Sequence, residues 1–80
     1  MMKDIEQTVL ALCQEILNLE SVSLQDDFFD IGGDSLSAIK LLSRTDALYG
    51  EDALTADALF EDGRLGAVAE FITQNQTATA

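Results

Sequence analysis

The stretch GGDSLSAIKLLSRTDALYG, residues 32–50, decides the fold. Its apolar residues recur at helical spacing, which predicts a helix that begins at Asp34 or Ser35 and ends at Tyr49 or Gly50. Gly50 suits a helix C-cap, and Asp34 and Ser35 are both good N-caps. Ser35 is therefore placed where a helix offers unpaired N–H groups and the positive end of its dipole, which suits a phosphate group.

Three further helices are predicted around this one. Apolar residues at helical spacing indicate a first helix over residues 4–18, a short third helix over 55–60, and a fourth from Arg64 to Ile72 or Thr73. No strand pattern occurs, so we expect an all-α fold: a small four-helix bundle with a long first loop and a short third helix. Residues 1–73 are expected to form the domain. Residues 74–80 carry no apolar period and are expected to be a disordered tail.

The connection between the first two helices is longer than most helix connections. Long ordered loops tend to be functional or to be anchored by their own apolar residues. We expect either Phe28 or Phe29 to pack under the Gly32-Gly33 turn and so to fix where Ser35 points. At least one of these glycines should adopt a positive φ or lie where a Cβ would be crowded.

Composition excludes several classes of function. The 80 residues carry 15 acids against four cations, a net charge of −11, and there is no histidine and one cysteine. Nucleic-acid binding needs clustered cations, and Ser-His catalysis and most transition-metal sites need histidine. The acids of residues 26–34 are not followed in register by the glycine and the final glutamate of a calcium loop. The chain is therefore not expected to be an enzyme.

Cys13 falls within the apolar stripe of the first helix and is expected to be a buried apolar residue rather than a reactive thiol. No segment has the length of a membrane span or the pattern of a signal peptide, so a cytoplasmic protein without membrane contact is expected. The negative charge fits two interpretations, solubility of a small helical protein and steering toward basic docking sites.

The segment DDFFDIGGDSL, residues 26–36, resembles the phosphopantetheine attachment motif of carrier proteins. Its pattern Phe-x-x-x-Gly-Gly-x-Ser-Leu is similar to that of the peptidyl (aminoacyl) carrier branch, and the resemblance covers about the whole chain. It implies a bundle of the acyl carrier type in which Ser35 carries 4′-phosphopantetheine as a phosphodiester, with Gly32, Gly33 and Asp34 completing the cofactor site. Apart from the resemblance, Ser35 fits a plain capping serine after a glycine turn.

This resemblance also implies what the protein does. A carrier of this branch holds an aminoacyl or peptidyl group as a thioester for nonribosomal peptide biosynthesis. Its partners would be a phosphopantetheinyl transferase, an adenylation enzyme, and downstream condensation or tailoring enzymes. Two alternatives stay open, an acyl carrier protein for polyketide or fatty-acid chains and a small acidic protein-interaction module. Because the chain starts with Met1-Met2 and has no linker-like flank before its first helix, we expect a free-standing carrier, with a domain excised from a larger synthetase as the alternative. A monomer is also expected.

Helix 2 gives the prediction of where partners bind. At about 100° per residue, one arc of this helix faces the core and contains Ala38, Leu41, Leu42, Thr45, Leu48 and Tyr49. Leu36 lies nearly opposite that arc, and Ile39 lies at its margin on the side of Ser35. The two are expected to form an exposed docking patch, although a slightly irregular amphipathic helix is the alternative. The resemblance implies docking through helices 2 and 3, so the predicted partner-binding residues are Leu36, Ile39, Lys40, Ser43 and Phe60.

The charge on helix 2 bears on the choice between carrier branches. Lys40 and Arg44 stand there against a single acid, Asp46, so this is the least acidic element of the chain. Fatty-acid carriers resemble the fold but usually have an acidic second helix. The charge balance and the glycine pair therefore favour the peptidyl branch.

Overall fold

The computed structural model describes the backbone of residues 2–78 and the side chains of residues 4–75. It contains four helices in this order: α1 Met2–Leu17, α2 Ser35–Tyr49, α3 Ala56–Glu61 and α4 Leu65–Ala78. The described residues include no strand, only an isolated bridge between Asp27 and Arg64. The predicted all-α four-helix bundle with a long first loop and a short third helix is confirmed.

The core lies where α1 packs against α4 and α2, with α3 closing one side. Phe28 reaches this core from the first loop and is fully buried. Thr45 is the one buried polar side chain among the described residues, and its hydroxyl donates to the Leu42 carbonyl oxygen at 3.0 Å. The apolar core residues are Ile5, Val9, Leu12, Cys13, Phe28, Ala38, Leu41, Ala53, Leu54, Leu59, Leu65, Val68, Ala69 and Ile72.

Cys13 is a free, buried thiol, as its place in the apolar stripe predicted. Burial disfavours the charged thiolate and raises the pKa of Cys13 to about 12. The thiol therefore stays protonated at neutral pH and acts as a small apolar side chain in the core.

Leu48 was predicted to face the core, and this prediction is wrong because its side chain is 56% exposed. Helical periodicity gives the face on which a residue lies, but not whether another element covers that face at the same height. Leu48 lies in the last turn of α2, and the neighbouring α3 is only six residues long. Leu42 and Tyr49, from the same arc, are partly buried and pack against the core.

The fourth helix is longer than predicted. It continues to Ala78, so the expected disordered tail is wrong for residues 74–78, while Thr79 and Ala80 lie outside the described residues. A physical reason is the Asn75 side chain, whose Nδ2 donates to the carbonyl oxygens of Asp52 at 3.3 Å and Ala53 at 2.8 Å. These bonds join the last turns of α4 to the loop before α3. They restrain the end of the helix in a way that apolar periodicity does not reveal.

Backbone hydrogen bonds fasten the first loop to the junction between α3 and α4. The Phe28 N–H donates to the Gly63 carbonyl oxygen at 2.8 Å, and the Leu65 N–H donates to that of Asp26 at 2.9 Å. Gly66 N–H donates in turn to the Leu24 carbonyl oxygen at 2.8 Å. The loop therefore has a fixed path up to Phe28, four residues before the glycine turn.

Candidate functional site

The Gly32-Gly33 turn needs both of its glycines, each for a different reason. Gly32 has φ +115°, in the region that side chains disfavour. A Cβ on Gly33 would lie 2.5 Å from Cδ2 and Cε2 of the Phe28 ring and 2.6 Å from the Phe28 carbonyl oxygen. The Gly33 N–H donates to that same oxygen at 2.9 Å. Phe28 is therefore the phenylalanine under the turn, and the positive φ predicted for at least one glycine is confirmed.

Asp34, and not Ser35, is the N-cap of α2. Its backbone is extended, and its carboxylate Oδ1 accepts a hydrogen bond from the Ser37 N–H at 2.9 Å. This bond from the Ser37 backbone, with a second from its side chain, holds the pKa of Asp34 below its usual value. Ser35 is thus the first residue of the helix. The alternative in which its hydroxyl serves as the cap does not apply.

The Ser35 side chain is exposed and makes no hydrogen bond among the described residues. It comes shortly after two glycines, which have no side chains, and it lies at the positive end of the α2 dipole. An exposed hydroxyl in this position fits the attachment of a group through a negatively charged phosphodiester. Such a group projects from the surface without entering the core.

The predicted docking residues of α2 are exposed. Leu36 is 72% and Ile39 62% exposed, as their helical phase predicted. A groove of about 470 Å³ between α1 and α2 is lined by Ile39, Lys40 and Ser43. Its other lining residues are Glu15, Ile16 and Arg44. Leu36 lies outside this groove. Partner binding by these residues stays a prediction.

Phe60 of α3 belongs to a line of three aromatic rings. It is 59% exposed and stacks on Phe29, with 5.2 Å between ring centroids and 12° between ring planes. Phe29 in turn meets the Phe28 ring edge-on, also with 5.2 Å between centroids. The exposed face of α3 is thus connected, through two rings, to the ring that supports the glycine turn.

Two further contacts join elements of this part of the fold that lie far apart in the sequence. Asp27 and Arg64 form the isolated bridge that joins the loop to α4, and Asp27 Oδ1 also accepts from the Phe29 N–H at 2.9 Å. Arg44 of α2 pairs with Glu15 of α1, 29 residues away. Neither pair has a local signal in the sequence, because the partners are brought together only by the packing of the helices.

The described residues contain neither a cluster suited to a metal ion nor a membrane-spanning helix. No group of three or more His, Cys, Asp or Glu side chains is arranged to hold a metal ion. Within the same part of the chain, none of the helices has the length and apolar character needed to cross a membrane.

Relatives of this chain include large synthetases. A segment of tyrocidine synthase 2 from Brevibacillus parabrevis is 35% identical over 86% of this chain, and one of the dimodular nonribosomal peptide synthase from Bacillus subtilis is 35% identical over 94%. The chain spans only 2% and 3% of the length of these two proteins.

Solved structures share the fold. BlmI, a type-II acyl carrier protein from Streptomyces verticillus involved in bleomycin biosynthesis, superposes with a TM-score of 0.85 at 26% identity, over 92% of this chain and 88% of BlmI. A chain of the complex of the phosphopantetheine transferase Sfp with coenzyme A and a peptidyl carrier protein gives 0.83 at 23% identity, over 88% of this chain and 90% of that chain.

The comparison with protein families agrees with the geometry of the turn. The profile of the family described as phosphopantetheine attachment site matches residues 7–72, which include the glycine turn and the whole of α2. The match runs from within α1 into α4, well over half of the chain. The chain therefore belongs to the phosphopantetheine attachment family, and 4′-phosphopantetheine is its cofactor.

Proposed function

We propose that this protein is a peptidyl (aminoacyl) carrier for nonribosomal peptide synthesis, with its phosphopantetheine attached to Ser35. The observation that carries the assignment of the site is the capping of α2 by Asp34, which leaves the Ser35 hydroxyl exposed and without a hydrogen bond. The relatives that support the pathway are segments of peptide synthetases.

Attachment requires a separate transferase and coenzyme A. The Ser35 Oγ forms a bond to the phosphorus that bears pantetheine, the phosphoanhydride bond of coenzyme A breaks, and adenosine 3′,5′-bisphosphate leaves. The hydroxyl proton passes to a base of the transferase. Support for such a partner comes from the similar fold found in the Sfp complex, which holds coenzyme A and a peptidyl carrier protein.

The chain's own contribution is to hold and present the attached group. When bound, phosphopantetheine supplies a terminal thiol that carries the aminoacyl or peptidyl group as a thioester. Phe28 and the glycine turn fix the position of Ser35, and a tether fixed at one end raises the effective concentration of its cargo at each enzyme. The protein is a carrier and not a catalyst in this account.

Leu36, Ile39, Lys40 and Ser43 form the proposed docking surface on α2, with Phe60 as a further contact on α3. Support comes from the exposure of Leu36 and Ile39, which follow the attachment serine on α2, and from the exposure of Phe60 on α3. The proposed loading partner is an adenylation enzyme, followed by condensation or tailoring enzymes.

An acyl carrier is the second candidate, because BlmI is described as an acyl carrier protein. Lys40 and Arg44 on α2 favour the peptidyl branch.

The test is a comparison of loading reactions on protein already modified by a phosphopantetheinyl transferase. We expect an adenylation enzyme with ATP and an amino acid to add an aminoacyl mass, and a malonyl transferase with malonyl-coenzyme A to add none. Loading by the malonyl transferase alone would assign the protein to the acyl branch. Failure of the transferase to modify the protein at all would contradict the carrier function and favour the acidic interaction module.

A further inference from the structure

A groove of about 440 Å³ lies between α3 and α4, away from the attachment serine. Ala58, Ala67 and Phe71 line this groove and are half-buried, whereas Leu54 and Val68, which also line it, are buried. The apolar surface that a bound molecule can contact therefore comes from the three half-buried side chains, which form the floor of the groove.

The rim of the groove is acidic. Asp57 and Glu61 line it from α3 and Glu70 from α4, and all three are exposed. Arg64 is the one cation that lines it, and its guanidinium donates to Asp62 through Nε at 2.9 Å and through Nη2 at 2.6 Å. With that pair neutral, the other three carboxylates give the rim a net charge of −3.

The groove is separate from the docking surface on α2. No described residue of α2 lines it. On α3 the residues that line it share one side of the helix, whereas Phe60 stacks on Phe29. A molecule bound in the groove therefore leaves Ser35, Leu36 and Ile39 uncovered.

We propose that the groove binds a basic amphipathic segment of a partner protein, whose apolar side chains contact the floor and whose Lys or Arg side chains pair with the rim. Charge complementarity argues for this occupant, since a chain of net charge −11 repels a second copy of itself. Such binding goes beyond the carrier function. It would hold the carrier near a partner while α2 stays free to meet enzymes, at the raised effective concentration that a second attachment gives.

The test uses a synthetic 14-residue peptide of leucine and lysine, patterned as an amphipathic helix, titrated into the full chain and followed by calorimetry and by amide NMR shifts. Asp57→Asn/Glu61→Gln should weaken binding about fivefold, as expected for two lost surface pairs. The control Asp46→Asn/Glu51→Gln has the same net charge and lies outside the groove, so it should change the affinity less than about twofold.

A second pair of variants tests the floor without changing charge. Ala58→Leu fills the groove and should abolish binding, whereas Ala56→Leu, an exposed position of the same helix outside the groove, should not. Circular dichroism checks that each variant is folded. Ser35→Ala should bind the peptide like the unchanged chain, so failure here is distinguishable from failure of the carrier function.

Three results would overturn the proposal. Equal loss of affinity in the two acid-pair variants would indicate non-specific attraction to the net charge. Peptide-induced shifts on α2 instead of α3 and α4 would place the binding outside the groove. Concentration-dependent shifts on α3 and α4 without any peptide would instead assign the groove to a second copy of the chain.

Discussion

Replacing Gly33 by Ala tests how the turn before Ser35 is held. The added Cβ would lie 2.5 Å from two carbons of the Phe28 ring and 2.6 Å from the Phe28 carbonyl oxygen. The ring cannot withdraw easily because it is fully buried and meets Phe29 edge-on. Overpacking of this kind costs about 1–3 kcal/mol. We therefore expect Gly33→Ala to lower the free energy of unfolding by this amount and to slow modification by the transferase.

The ring contact is isolated by adding Phe28→Leu in a double-mutant cycle measured by urea unfolding. Phe28→Leu removes the ring carbon Cε2 but leaves the carbonyl oxygen in place, so it should relieve part of the clash and make the two changes non-additive by about 1 kcal/mol. Gly32→Ala is the matched control. It is strained by its φ of +115° and has no atom within 4 Å of the added Cβ, so Phe28→Leu should not relieve it. Additive effects at Gly33, or equal coupling at both glycines, would refute the packing argument.

Three further outcomes are expected. Leu36→Asp should reduce loading by the adenylation enzyme while changing the free energy of unfolding by less than about 0.5 kcal/mol, whereas Ala38→Asp, in the core, should unfold the chain. Unchanged loading of the Leu36→Asp variant would remove Leu36 from the docking surface. The pKa of Asp34 is lowered in the folded protein, so its contribution to stability is present above the pKa of the unfolded chain and is lost as pH falls through the folded pKa. NMR titration should show that this pKa rises once a negatively charged phosphodiester is attached nearby, and an unchanged pKa would place the group elsewhere. Asn75→Ala should increase amide exchange at the end of α4, and unaltered exchange would show that the side chain does not hold this turn.

The sequence predicted the parts of the fold that depend on local signals. The bounds of α2 follow from a capping aspartate and a terminal glycine, and both lie where predicted. Leu36 lies opposite the core arc of α2, as its helical phase predicted, and is exposed.

What the sequence did not predict depends on contacts between distant elements. Leu48 is exposed although it lies on the apolar arc of α2, and α4 continues to Asn75, whose side chain reaches the loop before α3. The bridge between Asp27 and Arg64, which fastens the loop before the turn, likewise has no local pattern. Asp34 and Ser35 were equal candidates for the cap, and only the backbone geometry distinguishes them.

The most direct test of the account locates the attached group within the chain. Cleavage by trypsin after Lys3 and Lys40 releases residues 4–40, which contain Ser21, Ser23, Ser35 and Ser37 together, while Ser43 falls in the next peptide. After incubation with coenzyme A and a phosphopantetheinyl transferase, fragment-ion mass spectrometry should place one phosphopantetheinyl group on Ser35, and Ser35→Ala should stay unmodified. A group on Ser37 or Ser43, or a modified Ser35→Ala variant, would contradict the assignment.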